Sequence, residues 1–266
     1  MISKTHVILD IKSDLRTSGT NDNPAFHFYK NIDFKLSNVK EYYMKIHNIQ
    51  LPVSFYQINS NYNTLMIKER NAGDTIINII TITIPEGNYT ITELTSEIET
   101  LLNTNTVQGN TYSVSQDDKT GKINISYTGG SANIDLLSYN GGSTINPIIG
   151  GGEYNSLVTT VDIIPAGKDL NNHYNLNFIS YVSLETNIVS HNHLDVNSIR
   201  NVGSRIPITE TRGDVVNVTN NDGYLVRIKQ NSISEIQFKL IDPYKNQIEL
   251  NGTPFSCQLV FYEKDY

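Results

Sequence analysis

Two stretches constrain the fold most. In the first, Ile80, Ile82 and Ile84 alternate with Thr81 and Thr83, Pro85-Glu86-Gly87-Asn88 forms a strong turn signal, and a helix begins at Thr90. The second, Ser234 to Tyr262, reads as a pair of alternating strands hinged at Asp242-Pro243-Tyr244-Lys245-Asn246. Nearly everything around them is period-two patterning broken by Asn, Gly and Ser. No catalytic signature accompanies it. A chain of this kind points to a product that is a shape and a set of contacts.

The outer parts of the chain read as strands. Val7, Leu9 and Ile11 alternate with His6 and Asp10; Phe26, Phe28, Ile32, Phe34 and Leu36 share one face; Tyr43 to Leu51 continues the pattern up to Pro52. From Leu157 the pattern returns, with Tyr174, Leu176, Phe178, Ser180, Val182 and Leu184 expected as one long strand and a polar loop from Ser190 to Asp214. The middle differs. Thr90 as N-cap with Glu93 three residues on is a capping box, and Ile91, Leu94, Ile98, Leu101 and Leu102 fall on one helical face. Tyr112 to Ser115 and Lys122 to Tyr127 flank the hairpin turn Asp117 to Gly121. The expected architecture is mainly β: a single jelly-roll β-sandwich of about eight strands formed by residues 1–60 and 155–266, with residues 61–154 as a small inserted α+β subdomain carrying one helix.

Bulk properties fit. At 266 residues the chain can bury roughly 75% of its unfolded surface. Its net charge of −7 argues against a broad nucleic-acid-binding surface, because phosphate recognition needs clustered Lys and Arg. The lone cysteine, Cys257, cannot form an intrachain disulfide and reads as a small buried hydrophobe, which fits synthesis in a reducing compartment. The start lacks an apolar leader segment, and no apolar run is long enough to span a membrane. The sequons at Asn88, Asn124, Asn217 and Asn251 are therefore read as chance matches in an Asn-rich chain.

In order along the chain come Leu51 to Asn59, Ile84-Pro85-Glu86-Gly87-Asn88-Tyr89-Thr90 with the helix carrying Leu94, the hairpin with Thr120-Gly121-Lys122, and Phe238 to Asp242 running to Ile248 to Gly252 and a final strand. Taken together these resemble the penton, or minor jelly-roll capsid, proteins of virophages, polinton-like viruses and related large DNA viruses of eukaryotes. The sequence departs from that pattern at Phe255, where an aromatic, often Trp, is expected, and at Ile148 to Gly152. The resemblance implies a structural capsid protein of the virion shell, five copies around an icosahedral vertex, the subdomain facing outward, a neighbouring major capsid protein as partner, and no cofactor.

Three features invite chemistry. His191, His193 and Asp195 offer metal-ligand types, but no second cluster completes a coordination shell, so they read as a polar loop and no metal is expected. Arg212, Gly213 and Asp214 form a tripeptide that some adhesive proteins use for receptor contact; the plainer reading is a turn before Val215. Gly150 to Gly152 lacks the following Lys-Ser/Thr of a phosphate loop, and Asp117 and Asp118 lie in a turn. No enzyme is expected. The rival readings are a carbohydrate- or receptor-binding β-sandwich such as a fibre module, and a jelly-roll glycosidase with two facing carboxylates.

Overall fold

The computed structural model describes residues 4–34, 40–71, 75–130, 133–152, 160–163, 168–189, 193–195, 198–200, 202–220, 225–228 and 230–265. The chain divides into two compact units, Met1–Phe55 with Ile179–Tyr266, and Tyr56–Phe178.

The first unit is a jelly-roll β-sandwich. One sheet runs Lys4–Lys12, Ser256–Asp265, Lys40–Pro52, Val215–Thr219; the other runs Val202–Pro207, Tyr181–Thr186, Ser232–Ile241, Pro24–Asp33, with the short Ser18–Gly19 at its end. Among the described residues that gives eight strands of five residues or more, four in each sheet, every pairing antiparallel. Strands distant in sequence lie side by side, and alternation turns one face of each inward. In the first sheet the inward residues form rows across three strands: Ile11–Cys257–Ile49, Leu9–Leu259–Ile46 and Val7–Phe261–Met44. All but Val7 and Leu9, which pack half-buried against it, belong to one buried cluster with Val182, Leu184, Ile206, Ile236, Phe238 and Leu240 of the other sheet. Phe238 stands edge-on to both Phe26 and Phe255, with ring centroids 6.2 and 6.3 Å away.

The two C-terminal strands enter opposite sheets. The hinge between them is held by Asp242, whose buried carboxylate accepts the amides of Tyr244 and Asn246, both at 2.8 Å. Pro24–Asp33 is less regular than its alternation suggests. His27 pairs with Glu235 but Ile32 with Ile233, so Phe28 to Asn31 bulge from the ladder and Phe28 and Ile32 stay half-buried. Leu36 lies outside the described residues.

The second unit holds two sheets. One is Thr160–Ile163, Asn133–Leu137, Thr64–Arg70, Ile76–Thr83; the other is Lys168–Asp169, Lys122–Thr128, Thr111–Asp117. The helix Ile91–Asn105 packs against the last strand of each. Its capping box forms as read: Thr90 Oγ1 accepts the Glu93 amide and the Glu93 carboxylate accepts the Thr90 amide. Leu94, Ile98 and Leu102 are buried, whereas Ile91 and Leu101 are only half-buried.

One turn apart on that helix, Glu99 and Asn103 serve the open edge of Thr111–Asp117. Glu99 accepts the Val114 amide at 2.8 Å, while Asn103 accepts the Tyr112 amide at 2.7 Å and donates to its carbonyl at 2.9 Å. Helix side chains thus take the place of a neighbouring strand. Glu69, with no solvent exposure, fastens the strands from inside. Its carboxylate accepts bonds from Asn78 and Thr106 at 2.9 Å each, from Tyr112 at 2.9 Å, and from Asn110. Burial pushes its pKa up, but these bonds together hold it below the ordinary glutamate range.

The second unit extends beyond the 61–154 expected for the inserted subdomain. Thr160–Ile163 pairs with Asn133–Leu137. The amides of Leu170, Asn172, Tyr174 and Asn175 bond to Ile123, Gly150, Gly121 and Ile148, and Phe178 stacks edge-on to Tyr62 at 5.1 Å. The expected long strand from Tyr174 therefore exists only as Tyr181–Thr186. A four-residue helix, Asn146–Ile149, also forms; Gly150 ends it at φ +84°, where an added Cβ would lie 2.1 Å from the Asn172 carbonyl oxygen. Gly150 and Gly151 thus answer to packing, an added Cβ on Gly151 lying 2.8 Å from Asn146 Oδ1.

Replacing Asn103 with Ala should cost about 1–2 kcal/mol by urea denaturation, since two backbone groups of Tyr112 lose their partner. Asn105→Ala, whose amide bonds only Leu101 of its own helix, should cost less than about 0.5 kcal/mol. Glu69→Gln is expected to destabilise by about 1.5–3 kcal/mol near pH 7, the range for bonds to a charged group. Because folding lowers the Glu69 pKa, its stabilisation is full above the unfolded glutamate value and fades as pH falls through the lower folded one. The gap between wild type and Glu69→Gln should therefore narrow toward about pH 3; an unchanged gap would contradict this.

Candidate functional site

His191 lies outside the described residues. His193–Asp195 forms a short hairpin with Ser198–Arg200, His193 paired with Arg200, inside the stretch expected to be a loop. Among the described residues, no three His, Cys, Asp or Glu side chains come close enough to share a metal ion.

Arg212, Gly213 and Asp214 occupy a tight turn. The Asp214 amide bonds the Thr211 carbonyl at 3.1 Å, and the Thr211 hydroxyl donates to the Asp214 carboxylate. The turn docks on Val53, whose carbonyl accepts the Gly213 amide and whose amide donates to Asp214 O. Gly213 sits at φ +85° with open space where a Cβ would point. Gly213 and Asp214 are exposed; Arg212 is half-buried, which lowers its pKa. The tripeptide is thus an exposed corner that delivers the chain into Val215–Thr219.

The carboxylates of the hairpin turn are bound up locally. Asp117 accepts the Lys119 backbone amide at 2.8 Å, which lowers its pKa, and shapes the hairpin turn; Asp118 accepts a bond from the Gln116 side-chain Nε2. Asp242 and Glu69 carry the bonds described above. Burial pushes the Cys257 thiol pKa up to about 12, so it stays a neutral thiol in the core. An open groove of about 490 Å³ runs along the first turns of the helix, lined by Asn88, Tyr89, Thr92, Glu93, Ser96 and Glu97. The Glu93 carboxylate within it is already engaged by Thr90.

The remaining candidates are contact surfaces. Among the described residues of the first unit the exposed large apolar side chains are Ile8, Leu15, Tyr29 and Val215. Ile8 and Val215 lie on the two end strands of one sheet, Leu15 follows the first of these, and Tyr29 tips the bulge of Pro24–Asp33. Tyr29 is fully exposed. The exposed apolar set among the described residues is mostly aliphatic, and only sheet order shows where it lies.

No protein-family model and no curated protein matches this chain. Among solved structures it is similar to the crystal structure of the mavirus penton protein, with a TM-score of 0.54 and 13% sequence identity. The alignment covers 98% of this chain and 100% of that one, so the likeness includes both units. At that identity it is a likeness of fold: this chain carries the jelly-roll fold seen in a viral penton protein.

Proposed function

We propose that the protein is a structural capsid protein, a penton whose homopentamers occupy the vertices of an icosahedral shell beside a major capsid protein. The carrying observation is the fold likeness to the mavirus penton protein over 98% of the chain. Supporting it, the functional groups inside the molecule are tied to structure: Glu69 and Asp242 hold backbone and side-chain donors, and Cys257 is buried. Among the described residues of the first unit, Ile8 and Val215 are exposed apolar side chains on the two end strands of one sheet, where contact with another molecule would cover them. Subunits of such a ring meet through heterologous contacts, one side of a copy against a different side of the next. No catalytic step is assigned.

A second role rests on the exposed turn at Arg212, Gly213 and Asp214: receptor contact from the assembled particle. Gly213 and Asp214 are exposed at the corner, where the Asp214 carboxylate would be the group an adhesive receptor meets.

Gold-labelled antibody against this chain, imaged on intact particles, should decorate five-fold vertices alone; label spread over the faces, or none, would contradict the penton reading. Particles bearing Asp214→Glu should attach to cells several-fold less well if the turn is a receptor ligand. Unchanged attachment removes that role and leaves the capsid role standing.

A further inference from the structure

The hydrophobic core of the sandwich is unfinished at its sides. Partly buried apolar residues pack against it at Val7, Leu9 and Val218, among others. Val7 and Leu9 belong to the edge strand Lys4–Lys12, and Val218 to Val215–Thr219 at the opposite edge of the same sheet. On the outward face the same two strands expose Ile8 at 56% and Val215 at 45%. Edge strands are commonly protected by charge, proline or a covering element. Here, among the described residues, each end strand pairs with one neighbour only, and each leaves apolar groups open on both faces.

The two edges match each other. Three successive antiparallel pairings separate them, so Lys4–Lys12 and Val215–Thr219 run in opposite directions. A rotated copy that sets one edge beside the other meets it in the sense an antiparallel ladder needs. That alignment brings the end of the first strand, at exposed Lys12, toward the start of the second, at exposed Asp214. At the junction Lys12, ion-paired with Asp14 at 3.1 Å within its own chain, would also come within reach of the Asp214 carboxylate, which accepts the Thr211 hydroxyl. Core residues Val7 and Leu9 would gain Val218 as a neighbour, and Ile8 and Val215 would lie on one outer surface.

We propose that the sheet continues from copy to copy, the Lys4–Lys12 edge of one molecule pairing with the Val215–Thr219 edge of the next. The proposal rests on the self-assembling capsid reading and specifies the surface that assembly uses. Its occupant is a second copy because both complementary edges are supplied by this one chain. The contact is heterologous, so it closes into a ring when the rotation permits.

The test is a double variant, Ile8→Cys with Val215→Cys, in the full chain at concentrations where light scattering shows oligomers. Cys257 is 5% exposed and should remain silent. A bifunctional thiol reagent should give a ladder of covalent multimers on denaturing gels for the double variant and only monomer for each single variant. Ile8→Lys, at a site whose exposure spares the fold, should weaken association at least tenfold, one pH-independent charge being forced into an apolar seam. Oligomers that form normally in Ile8→Lys, together with no ladder from the oligomeric double-cysteine variant, would overturn the edge contact while leaving self-assembly intact. Wild-type protein that stays monomeric in solution and is absent from particles would overturn both.

Discussion

The first unit depends on a pairing that only tertiary structure can supply: Ser256–Asp265 lying between Lys4–Lys12 and Lys40–Pro52. Without it the first sheet has no centre, since Leu259 and Phe261 complete the inward rows begun by Leu9 and Val7 and finished by Ile46 and Met44. Burying a Leu or Phe side chain is worth about 1.5–3 kcal/mol, so the rows supply a large driving force. Loop closure across almost the whole chain opposes it, but that cost grows only slowly with length. The second unit forms part of that long loop and can be extensive without preventing the sandwich from closing.

The second unit solves a different problem. Two small sheets with free edges need cover, and one amphipathic helix covers both. Apolar burial of Leu94, Ile98 and Leu102 sets its face, while Glu99 and Asn103 satisfy backbone groups of Thr111–Asp117. Glu69 then links Thr64–Arg70 to Asn78, Thr106, Asn110 and Tyr112. A buried carboxylate is tolerable only when its acceptor capacity is filled. Tyr112 responds reciprocally: burial and the neighbouring carboxylate raise its phenol pKa, keeping it a donor.

Local signals in the sequence were strong where local physics decides. The Thr90–Glu93 capping box, the Asp117–Gly121 turn and the Asp242 hinge were all legible, because each closes through hydrogen bonds within a few residues. So was the sandwich, from alternation alone. What alternation could not show is which strand stops early: Tyr174, Leu176 and Phe178 continue the period of Val182 and Leu184, yet hydrogen bonds to Gly121, Ile148 and Gly150 and the Tyr62 ring keep their segment in the other unit. The roles of Glu69, Glu99 and Asn103 were likewise hidden, since a polar residue on a strand or helix reveals nothing of a partner brought by folding. The contact edges were invisible for the same reason: Ile8 and Val215 are ordinary strand residues until sheet order makes them terminal.

Closure of the sandwich by strands from the two distant ends of the chain is most directly tested by native-state amide hydrogen exchange. Amides of Lys4–Lys12 facing Ser256–Asp265, and those of Ser256–Asp265 itself, should exchange as slowly as Ser232–Ile241 in the opposite sheet, all three opening in one cooperative event. Terminal strands that exchange orders of magnitude faster, while Ser232–Ile241 stays protected, would contradict a sandwich held shut by its own ends.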